Sequence, residues 1–482
     1  MQTLKFPISC HISTISLNHK IDYGFSSTVS PHIKLPYIVN CKGIEISTQK
    51  SSSINSFNFS GHNGVVDGSS FIKNVSLRDA DIATLGNLCV DIVLNVPTLP
   101  PPSLNERKAY MERLSASRPD KRYWEAGGNC NVAIAAARLG LNCVTIGNVG
   151  NEVYGRFLLD VLHNEGIGMV RMNENTDDVV ESVFYETLLC WVLVDPLQRH
   201  GFCSRADFSS EPAFGWMRVL SKNVKMAIKR SKILFCNGYT FDELSPVLII
   251  SVLEYSIEVG TSFFFDPGPR GKTLATGTPE EQRALDQCLR MSDVLLLTSD
   301  EAESLTGITN PILAGQELLR KGVRTKWVIV KMGPKGSILI RSSSITCAPT
   351  FKVNVIDTVG CGDSFVAAIA CGFIHNMPTV YSLALANAVG AATAMGCGAG
   401  RNVATLEKVI ELVKVSDLNE DESLSNLLDL ENIPNLPEII LLSKALMNGI
   451  NAHMMNHVSL QKVVCELLPK LENVHQNRII SS

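Results

Sequence analysis

The segment IDTVGCGDSF, residues 356 to 365, places two glycines around one small residue and follows them with an acid. The apolar run FKVNVI leads into it, so the pattern predicts a strand ending at Ile356, a glycine-rich turn and a helix starting near Ser364. Backbone amides in such a turn, together with the positive end of the helix dipole, form an anion site. Asp363 would stand beside that anion and could accept a hydroxyl proton. A simpler interpretation is that Asp363 only caps a helix after a flexible loop.

The chain around this segment alternates two patterns from about Asp81 to Arg401. Short β-branched runs are followed by helical stretches, and the runs include IATLGNLCVDIVL, CVTIGNVG, KILFCNG, TSFFFDPG, DVLLLTS and KWVIVKMG. Strands alternating with helices predict an α/β fold, with a mostly parallel, doubly wound sheet flanked by helices. Ligands bind beyond the carboxyl ends of the strands in such sheets, and several runs end in Gly, Asp or Ser.

A different pattern occurs in LLCWVLVDPLQRHGFCS, residues 188 to 204. Two apolar runs flank a turn at Asp195-Pro196, which predicts a β-hairpin. This hairpin could form a small antiparallel β flap.

Composition limits the function classes. The chain has 482 residues, 45% apolar and 19% charged, with a formal net charge of -4. No apolar run approaches the roughly 20 residues needed to span a bilayer, so a membrane protein is excluded. Without an overall basic field, nucleic acid is not an expected partner. The 14 cysteines include no C-x-x-C pair and read as free thiols in a reducing compartment.

Both ends of the chain differ from the middle. Residues 1 to 75 are rich in Ser, Asn and Gly and poor in acids, which predicts a disordered transit peptide, of plastid type because no Arg precedes Arg78. Residues 406 to 482 contain an acidic linker, DLNEDES, and the stretches PEIILLSKALMNGINAHMM and SLQKVVCELLPKLENV, which predict helices. This extension could pack on the preceding domain or bind a partner.

The segment DTVGCGDSF resembles the second signature of the PfkB family of ribokinase-like carbohydrate kinases, D-T-T-G-A-G-D-x-F. Further family-like motifs follow one another in the family order across about residues 80 to 405: TLGNLCVD, AGGNCNVAIAAARLG, IGNVGNEVYG, FFFDPGPRG, VKMGPKGS and NAVGAATAMGCGA. The ordered set is more specific than any one motif. The resemblance implies a kinase domain over residues 80 to 405 that transfers the γ-phosphate of ATP to a hydroxyl of a sugar or nucleoside.

The resemblance also implies roles for particular residues. Asp363 would be the base, and the anion hole would consist of Gly360, Cys361 and Gly362. The residues implied to hold the sugar are Asp91, Gly127, Gly128 and Asn131. The residues implied to hold the nucleotide are Thr298, Lys331, Gly333, Gly336 and Asn387.

Cofactors follow from the same resemblance. Mg²⁺ would arrive with ATP, largely through water and phosphate oxygens, near the retained acid Glu301. A monovalent cation in related kinases implicates Asp357, Val359 and the turn near Gly396 and Gly398. A requirement for K⁺ is a hypothesis. The flap could also join two chains into a homodimer.

Four positions depart from the family pattern. Thr298 stands where the N-x-x-E motif has Asn, and a hydroxyl offers fewer hydrogen bonds than an amide. The Gly-Gly to Asn spacing is one residue short, Gly268 replaces an Asn, and Cys361 replaces Ala. A thiol at a helix N-terminus can have a lowered pKa, which suggests inhibition by oxidation; the alternative is that the sulfur fills an apolar gap.

A function of another class fits the ends of the chain. The transit segment and the C-terminal extension permit a catalytically weak or inactive, kinase-like structural component of a plastid assembly. The intact Asp363 between its glycines and the helix favours catalysis, because phosphoryl transfer requires the base and the anion hole and a scaffold does not.

Overall fold

The computed structural model describes residues 79–101, 103–172, 185–197, 199–209, 211–420, 438–444 and 455–481. All of them belong to one compact unit, Ser60–Ser482. The predicted transit segment, residues 1 to 75, and residues 421 to 423 of the acidic linker lie outside the described residues.

The elements alternate as the sequence predicts. The strands are β1 (Ala80–Leu85), β2 (Leu88–Asn95), β3 (Trp124–Gly128), β4 (Cys143–Gly147), β5 (Gly168–Arg171), β6 (Leu188–Val194), β7 (His200–Ser204), β8 (Ser231–Asn237), β9 (Ser262–Asp266), β10 (Val294–Thr298), β11 (Trp327–Lys331), β12 (Ser337–Ile340), β13 (Ser344–Ala348), β14 (Glu438–Ser443) and β15 (Met455–Ser459). The helices are α1 (Leu104–Ser115), α2 (Asn129–Arg138), α3 (Val153–Asn164), α4 (Lys222–Lys229), α5 (Thr240–Glu243), α6 (Pro246–Val259), α7 (Arg270–Ala275), α8 (Pro279–Met291), α9 (Ser299–Thr306), α10 (Pro311–Lys321), α11 (Cys361–Ile374), α12 (Thr379–Ala394), α13 (Leu406–Val415) and α14 (Leu460–Ser481).

The main sheet contains eleven strands within the described residues, in the order β15-β14-β13-β12-β11-β10-β9-β8-β1-β4-β5. Neighbouring strands run parallel except at β12, which is antiparallel to both β11 and β13. Since the strands carry helices between them and lie parallel, the predicted α/β fold with a mostly parallel sheet is confirmed.

Helices cover both faces of this sheet. Strand β9 shows why: its three phenylalanines are fully buried, and Phe264 enters one core cluster while Phe263 and Phe265 enter the other. Successive side chains of a strand point to opposite faces, so a continuous apolar run is stable only when both faces are covered.

A second sheet of four strands, β3-β2-β6-β7, stands beside the main one, and we call it the lid. Strands β6 and β7 form the predicted hairpin in antiparallel register. The carboxylate of Asp195 accepts hydrogen bonds from the amides of Leu197 and Arg199, which closes the turn between them. The sequence did not indicate that β2 and β3 would join this sheet, with β2 parallel to β6.

The prediction of a strand over FKVNVI is wrong. Phe351 makes one bridge, to Leu418, and residues 352 to 356 form no strand. Both edges of β13 are already paired, with β12 and β14, so the run has no partner strand. Ile356 instead donates its amide to the Ala394 carbonyl and leaves its side chain 49% exposed. Helix α11 begins at Cys361, three residues before the predicted start.

The prediction of a helix through PEIILLSKALMNGINAHMM is wrong for its described first part, because Glu438–Ser443 form strand β14. Residues 445 to 454 of that prediction lie outside the described residues. The strand pairs parallel with β13 on one side and β15 on the other. Tertiary pairing at the edge of the sheet therefore overrides the local helical spacing. The predicted helix after it is present as α14, whose inward residues are Leu460, Val463, Leu467 and Leu471.

None of the helices in the described part of the chain has the length and apolarity to cross a membrane.

The packing of α14 makes a prediction about stability. Leu467 is 2% exposed in the main core, so Leu467→Ala should lower the free energy of unfolding by about 2 to 5 kcal/mol. Urea denaturation measures the change, and Lys470→Ala, at an exposed position of the same helix, should leave it nearly unchanged. Equal stability of the two variants would mean that residues 455–481 do not belong to the folded domain.

Candidate active site

Polar side chains gather at the carboxyl edge of the main sheet. Asn237 and Asp266 end the paired strands β8 and β9 in register, and Thr298 and Lys331 do the same for β10 and β11. Parallel strands bring their carboxyl ends to one edge, where an open α/β sheet binds its ligands. Two of the residues predicted for the nucleotide, Thr298 and Lys331, therefore lie on adjacent strands.

The glycine-rich turn enters α11 as predicted. Gly360 has a left-handed φ of 76°, and a Cβ there would lie 2.6 Å from the Ala399 Cβ, so a glycine is required. Asp363 lies in the first turn of α11, where helical amides have no acceptor within the helix. The amide of Cys361 donates a long bond of 3.3 Å to the Thr358 carbonyl. The amides of Gly362 and Asp363 occupy the positive end of the helix.

Asp363 is held by a residue that the resemblance implied for the sugar. The Asn131 side chain, in the first turn of α2, donates from Nδ2 to Asp363 Oδ2 at 3.1 Å and accepts the Gly400 amide at Oδ1 at 2.8 Å. Burial raises the pKa of Asp363 to about 6, and the charge of Asp266 adds to the rise, whereas the Asn131 bond and Lys331 lower it. A carboxylate with this pKa is a stronger proton acceptor than an ordinary aspartate and is still ionised at neutral pH.

Asp91 is a second buried carboxylate facing the same region. Burial raises the pKa of Asp91 to about 7; the hydrogen bond from Cys89 opposes this, while the charges of Asp363 and Glu125 add to it. A Cβ at Gly127 would lie 2.1 Å from Asp91 Oδ1, so the backbone of β3 passes directly over this carboxylate. The structure thus brings the two carboxylates of Asp91 and Asp363 close enough to interact through their charges, with Gly127 packed against Asp91.

A buried lysine supplies positive charge beside the glycine-rich turn of Gly360, Cys361 and Gly362, which we call the anion turn. Lys331 Nζ lies 2.6 Å from Asp266 Oδ2, and both side chains are less than 15% exposed. Burial disfavours the charged lysine, but Asp266 and Glu301 outweigh it and raise the pKa of Lys331. The same Nζ lies 3.8 Å from the position that a Cβ on Gly362 would occupy. Lys331 therefore remains a cation within reach of an anion bound at the turn.

The unusual Thr298 acts as a helix cap. Its hydroxyl accepts the Glu301 amide at 3.3 Å, and the Glu301 carboxylate accepts the Thr298 amide at 2.7 Å, which is a capping box at the start of α9. Burial and the charge of Asp266 raise the pKa of Glu301, and Lys331 lowers it. Glu301 keeps a second carboxylate oxygen, a ligand type that suits Mg²⁺ or its water shell.

The loop predicted to hold the nucleotide, residues 331 to 336, turns between β11 and β12 through two glycines with positive φ, Gly333 and Gly336. Asn387, on α12, lies behind this loop. Its amide nitrogen donates to the carbonyls of Ala348 and Pro349, and its oxygen accepts the Ser337 hydroxyl. In this structure Asn387 holds the strands next to the loop.

Asp357 has contacts that do not suit a monovalent cation. Its Oδ1 accepts the Val359 amide at 3.1 Å and lies 2.6 Å from His200 Nε2 on the lid, and its Oδ2 accepts the Gly398 amide at 2.6 Å. Burial alone would raise the pKa of Asp357, but these hydrogen bonds outweigh it and lower the pKa. Three nitrogen donors already surround this 3% exposed side chain, so the residues present do not fit K⁺.

The suggestion of a reactive Cys361 thiol is not supported. Burial raises the pKa of Cys361 to about 12, and the neighbouring carboxylates of Asp357 and Asp363 add to the rise. Both effects disfavour the thiolate, so the thiol is protonated at neutral pH and poorly nucleophilic. The sulfur instead lies 4.0 Å from the Asp357 carbonyl.

The sequence analysis assigned no role to Asn237, Asp266 or His200. Asn237 and Asp266 had a signal, because they follow the apolar runs in the quoted segments KILFCNG and FFFDPGPRG. His200 had none, because it is 157 residues from its partner Asp357 and meets it only through the folding of the lid.

Comparison with known proteins identifies the family of this chain. Residues 80–406 match the family model described as pfkB family carbohydrate kinase. The chain therefore belongs to this family of carbohydrate kinases.

Individual relatives are distant. Fructokinase-1 of Zea mays is 25% identical over 347 residues, which cover 69% of this chain and 97% of the relative. The bifunctional ribokinase/ribose-5-phosphate isomerase A of Fructilactobacillus sanfranciscensis is 23% identical over 348 residues, and the match spans 71% of this chain and 57% of that protein's length. Among solved structures, a putative ribokinase II of E. coli in complex with ATP and Mg²⁺ is 19% identical with a TM-score of 0.54, covering 70% of this chain and 99% of that one. The structural likeness confirms the ribokinase-like fold.

The Lys331–Asp266 pair makes a testable prediction. Lys331→Met leaves the buried Asp266 carboxylate without its partner, which should lower the free energy of unfolding by about 3 to 5 kcal/mol. The double variant with Asp266→Asn removes both charges and should recover much of that loss in urea denaturation. Lys321→Met, which breaks an exposed pair with Glu317, serves as the control and should change little. Single and double variants of equal stability would contradict the pairing.

Proposed function

We propose that this protein transfers the γ-phosphate of ATP to a hydroxyl group of a neutral sugar or nucleoside. The observation that carries the proposal is Asp363: a buried carboxylate with a raised pKa, oriented by Asn131 and placed at the positive end of α11. The names of the relatives, fructokinase and ribokinase, support a sugar as the acceptor.

In the proposed reaction the acceptor hydroxyl oxygen attacks the γ-phosphorus while the bond from that phosphorus to the ADP oxygen breaks. The hydroxyl proton goes to Asp363. The amides of Gly362 and its neighbours in the turn, with Lys331, stabilise negative charge on the transferred group, so catalysis rests on fixed electrostatics and positioning. Mg²⁺ bound with the nucleotide would neutralise charge on its phosphate oxygens, and Glu301 is the residue available to organise its water ligands.

The acceptor site is suited to a hydroxyl-rich ligand. Asp91 can accept hydroxyl protons in hydrogen bonds, and the side-chain oxygens of Asn87 and Asn237 are buried without a hydrogen-bond partner among the described residues. Asn87 lies against Gly128. The side chain of Asn237 donates a hydrogen bond to the side chain of Asn129, the residue after Gly128. A polyol supplies the missing donors, whereas an anionic acceptor would be repelled by Asp91 and Asp363. The lid over this edge would exclude water, the competing acceptor.

The direct test is phosphorylation of a panel of acceptors, ribose, fructose and adenosine among them, by the full-length chain with ATP and Mg²⁺. Asp363→Asn should lower kcat by roughly 100- to 10,000-fold, since it removes the base. The melting temperature of this variant at mildly alkaline pH should equal or exceed that of the natural protein. The reason is that the pKa of Asp363 is raised in the folded state. At a pH above that pKa the ionised carboxylate therefore lowers the stability of the folded protein.

Two results would contradict the proposal: turnover by Asp363→Asn equal to the natural protein, or no turnover on any acceptor by a folded chain that binds ATP. The second result would favour the alternative function, a kinase-like structural component of a plastid assembly.

The pH dependence gives an independent check. Because Asp363 accepts the proton only when ionised, and burial raises its pKa to about 6, kcat/KM should fall about tenfold per pH unit below that value. An Asp with an ordinary pKa would keep its activity down to about pH 4. Initial rates across this pH range, with protein stability monitored in parallel, decide between a raised and an ordinary pKa for Asp363.

Three further proposals rest on other observations. Targeting of the chain to a plastid rests on the composition of residues 1 to 75. Homodimer formation through the lid rests on the exposed side of that sheet, where Phe202 is 44% accessible. Residues 406 to 482 would bind a partner through their outer surface, because the inward face of α14 is already buried in the core.

A further inference from the structure

A polar contact joins the lid to the loop that leads into the anion turn. His200 begins β7, and its Nε2 lies 2.6 Å from Asp357 Oδ1. A carboxylate with no proton only accepts hydrogen bonds, so this ring nitrogen carries a hydrogen in either charge state of the imidazole. The side chains are 14% and 3% exposed, which shields the bond from water.

Apolar contacts join the same two parts of the molecule. Val192 on β6 is fully buried and packs with Val359 and Ala399, which flank the anion turn on either side. Val93 on β2 packs at the edge of this cluster and would touch a Cβ placed on Gly398 at 3.4 Å. The lid strands, the loop before α11 and the turn after α12 therefore form one packed unit.

Asp357 orders this unit through its carboxylate. It binds the Val359 amide in its own loop and the Gly398 amide in the neighbouring turn, and His200 supplies the third donor. A carboxylate has about four acceptor sites, so these three donors nearly fill that of Asp357. A buried carboxylate that loses a donor keeps the desolvation penalty without compensation, so the third contact is needed for the loop to hold its shape.

We propose that His200 is a positioning residue that takes the place of a monovalent cation at Asp357, so that the anion hole is organised by the lid and does not need K⁺. The imidazole fixes Asp357, Asp357 fixes the Val359 amide, and the next residue is Gly360 of the anion hole. The proposal rests on the proposed function for the role of the hole, but the contact itself is independent of catalysis.

Removing the imidazole leaves Asp357 Oδ1 with an open acceptor site in a buried place, and a small cation becomes the available partner for it. His200→Ala should therefore acquire a dependence on K⁺ that the natural protein lacks. His200→Gln keeps an amide nitrogen that can donate to Asp357 and should behave nearly as the natural protein.

The experiment measures melting temperatures of the full-length protein and its variants in KCl and in tetramethylammonium chloride at equal ionic strength. The natural protein should melt at the same temperature in both salts. His200→Ala should melt lower in tetramethylammonium chloride and regain much of the difference in KCl, because a ligand that binds the folded state stabilises it. His375→Ala, an exposed histidine at the end of α11, is the matched control and should show no salt-specific change.

Turnover adds a second measurement with any acceptor that the panel identifies. In tetramethylammonium chloride, kcat of His200→Ala should fall about tenfold, the loss of roughly one charge-assisted hydrogen bond, and KCl should restore it. A merely structural role would give a loss that no particular cation repairs.

Two outcomes overturn the proposal. One is a rise in melting temperature with KCl that is as large for the natural protein as for His200→Ala; the other is a His200→Ala variant that does not respond to KCl. Both are read from melting alone, so they remain decisive even if no acceptor is phosphorylated, and a failure of the proposed function is distinguishable from a failure of this inference.

Discussion

Buried negative charge at the carboxyl edge of the main sheet is the constraint on which the site depends. Asp363, Asp266 and Asp357 are all withdrawn from water, and each needs a donor. The donors come from different parts of the chain: Asn131 from α2, Lys331 from β11 and His200 from the lid. Because an unpaired buried carboxylate is costly, these contacts fix the relative positions of the elements that carry them.

The same contacts separate the roles of chemically similar groups. Burial, with the nearby charge of Asp266, raises the pKa of Asp363 to about 6 against the opposing hydrogen bond from Asn131, so Asp363 can take up a proton. Asp357 receives three nitrogen donors, so its pKa is lowered and it remains an acceptor that orders backbone. Environment thus makes one aspartate a candidate base and the other a structural anchor.

Much of the site could be read from the sequence, and the errors have physical causes. The resemblance to the family motifs named Asp91, Gly127, Asn131 and Asp363. The structure has Asp91 and Gly127 within β2 and β3, and Asn131 and Asp363 in the first turns of α2 and α11. The pattern of FKVNVI suggested a strand that does not form, since β12 and β14 occupy both edges of β13. The hypothesis of a reactive Cys361 thiol rested on the helix dipole, which lowers a thiol pKa. Burial and the carboxylates of Asp357 and Asp363, which raise the pKa of Cys361, are visible only in the tertiary structure.

The sequence by itself determined the alternation of strands and helices, the glycine-rich turn before Asp363 and the hairpin of the lid, because each depends on neighbours within a few residues. Tertiary structure decided which strand β14 pairs with, that Asn131 bonds Asp363, and that His200 reaches Asp357 across 157 residues. Contacts of this kind depend on how the packed layers are registered against each other, and no local pattern of residues records that register.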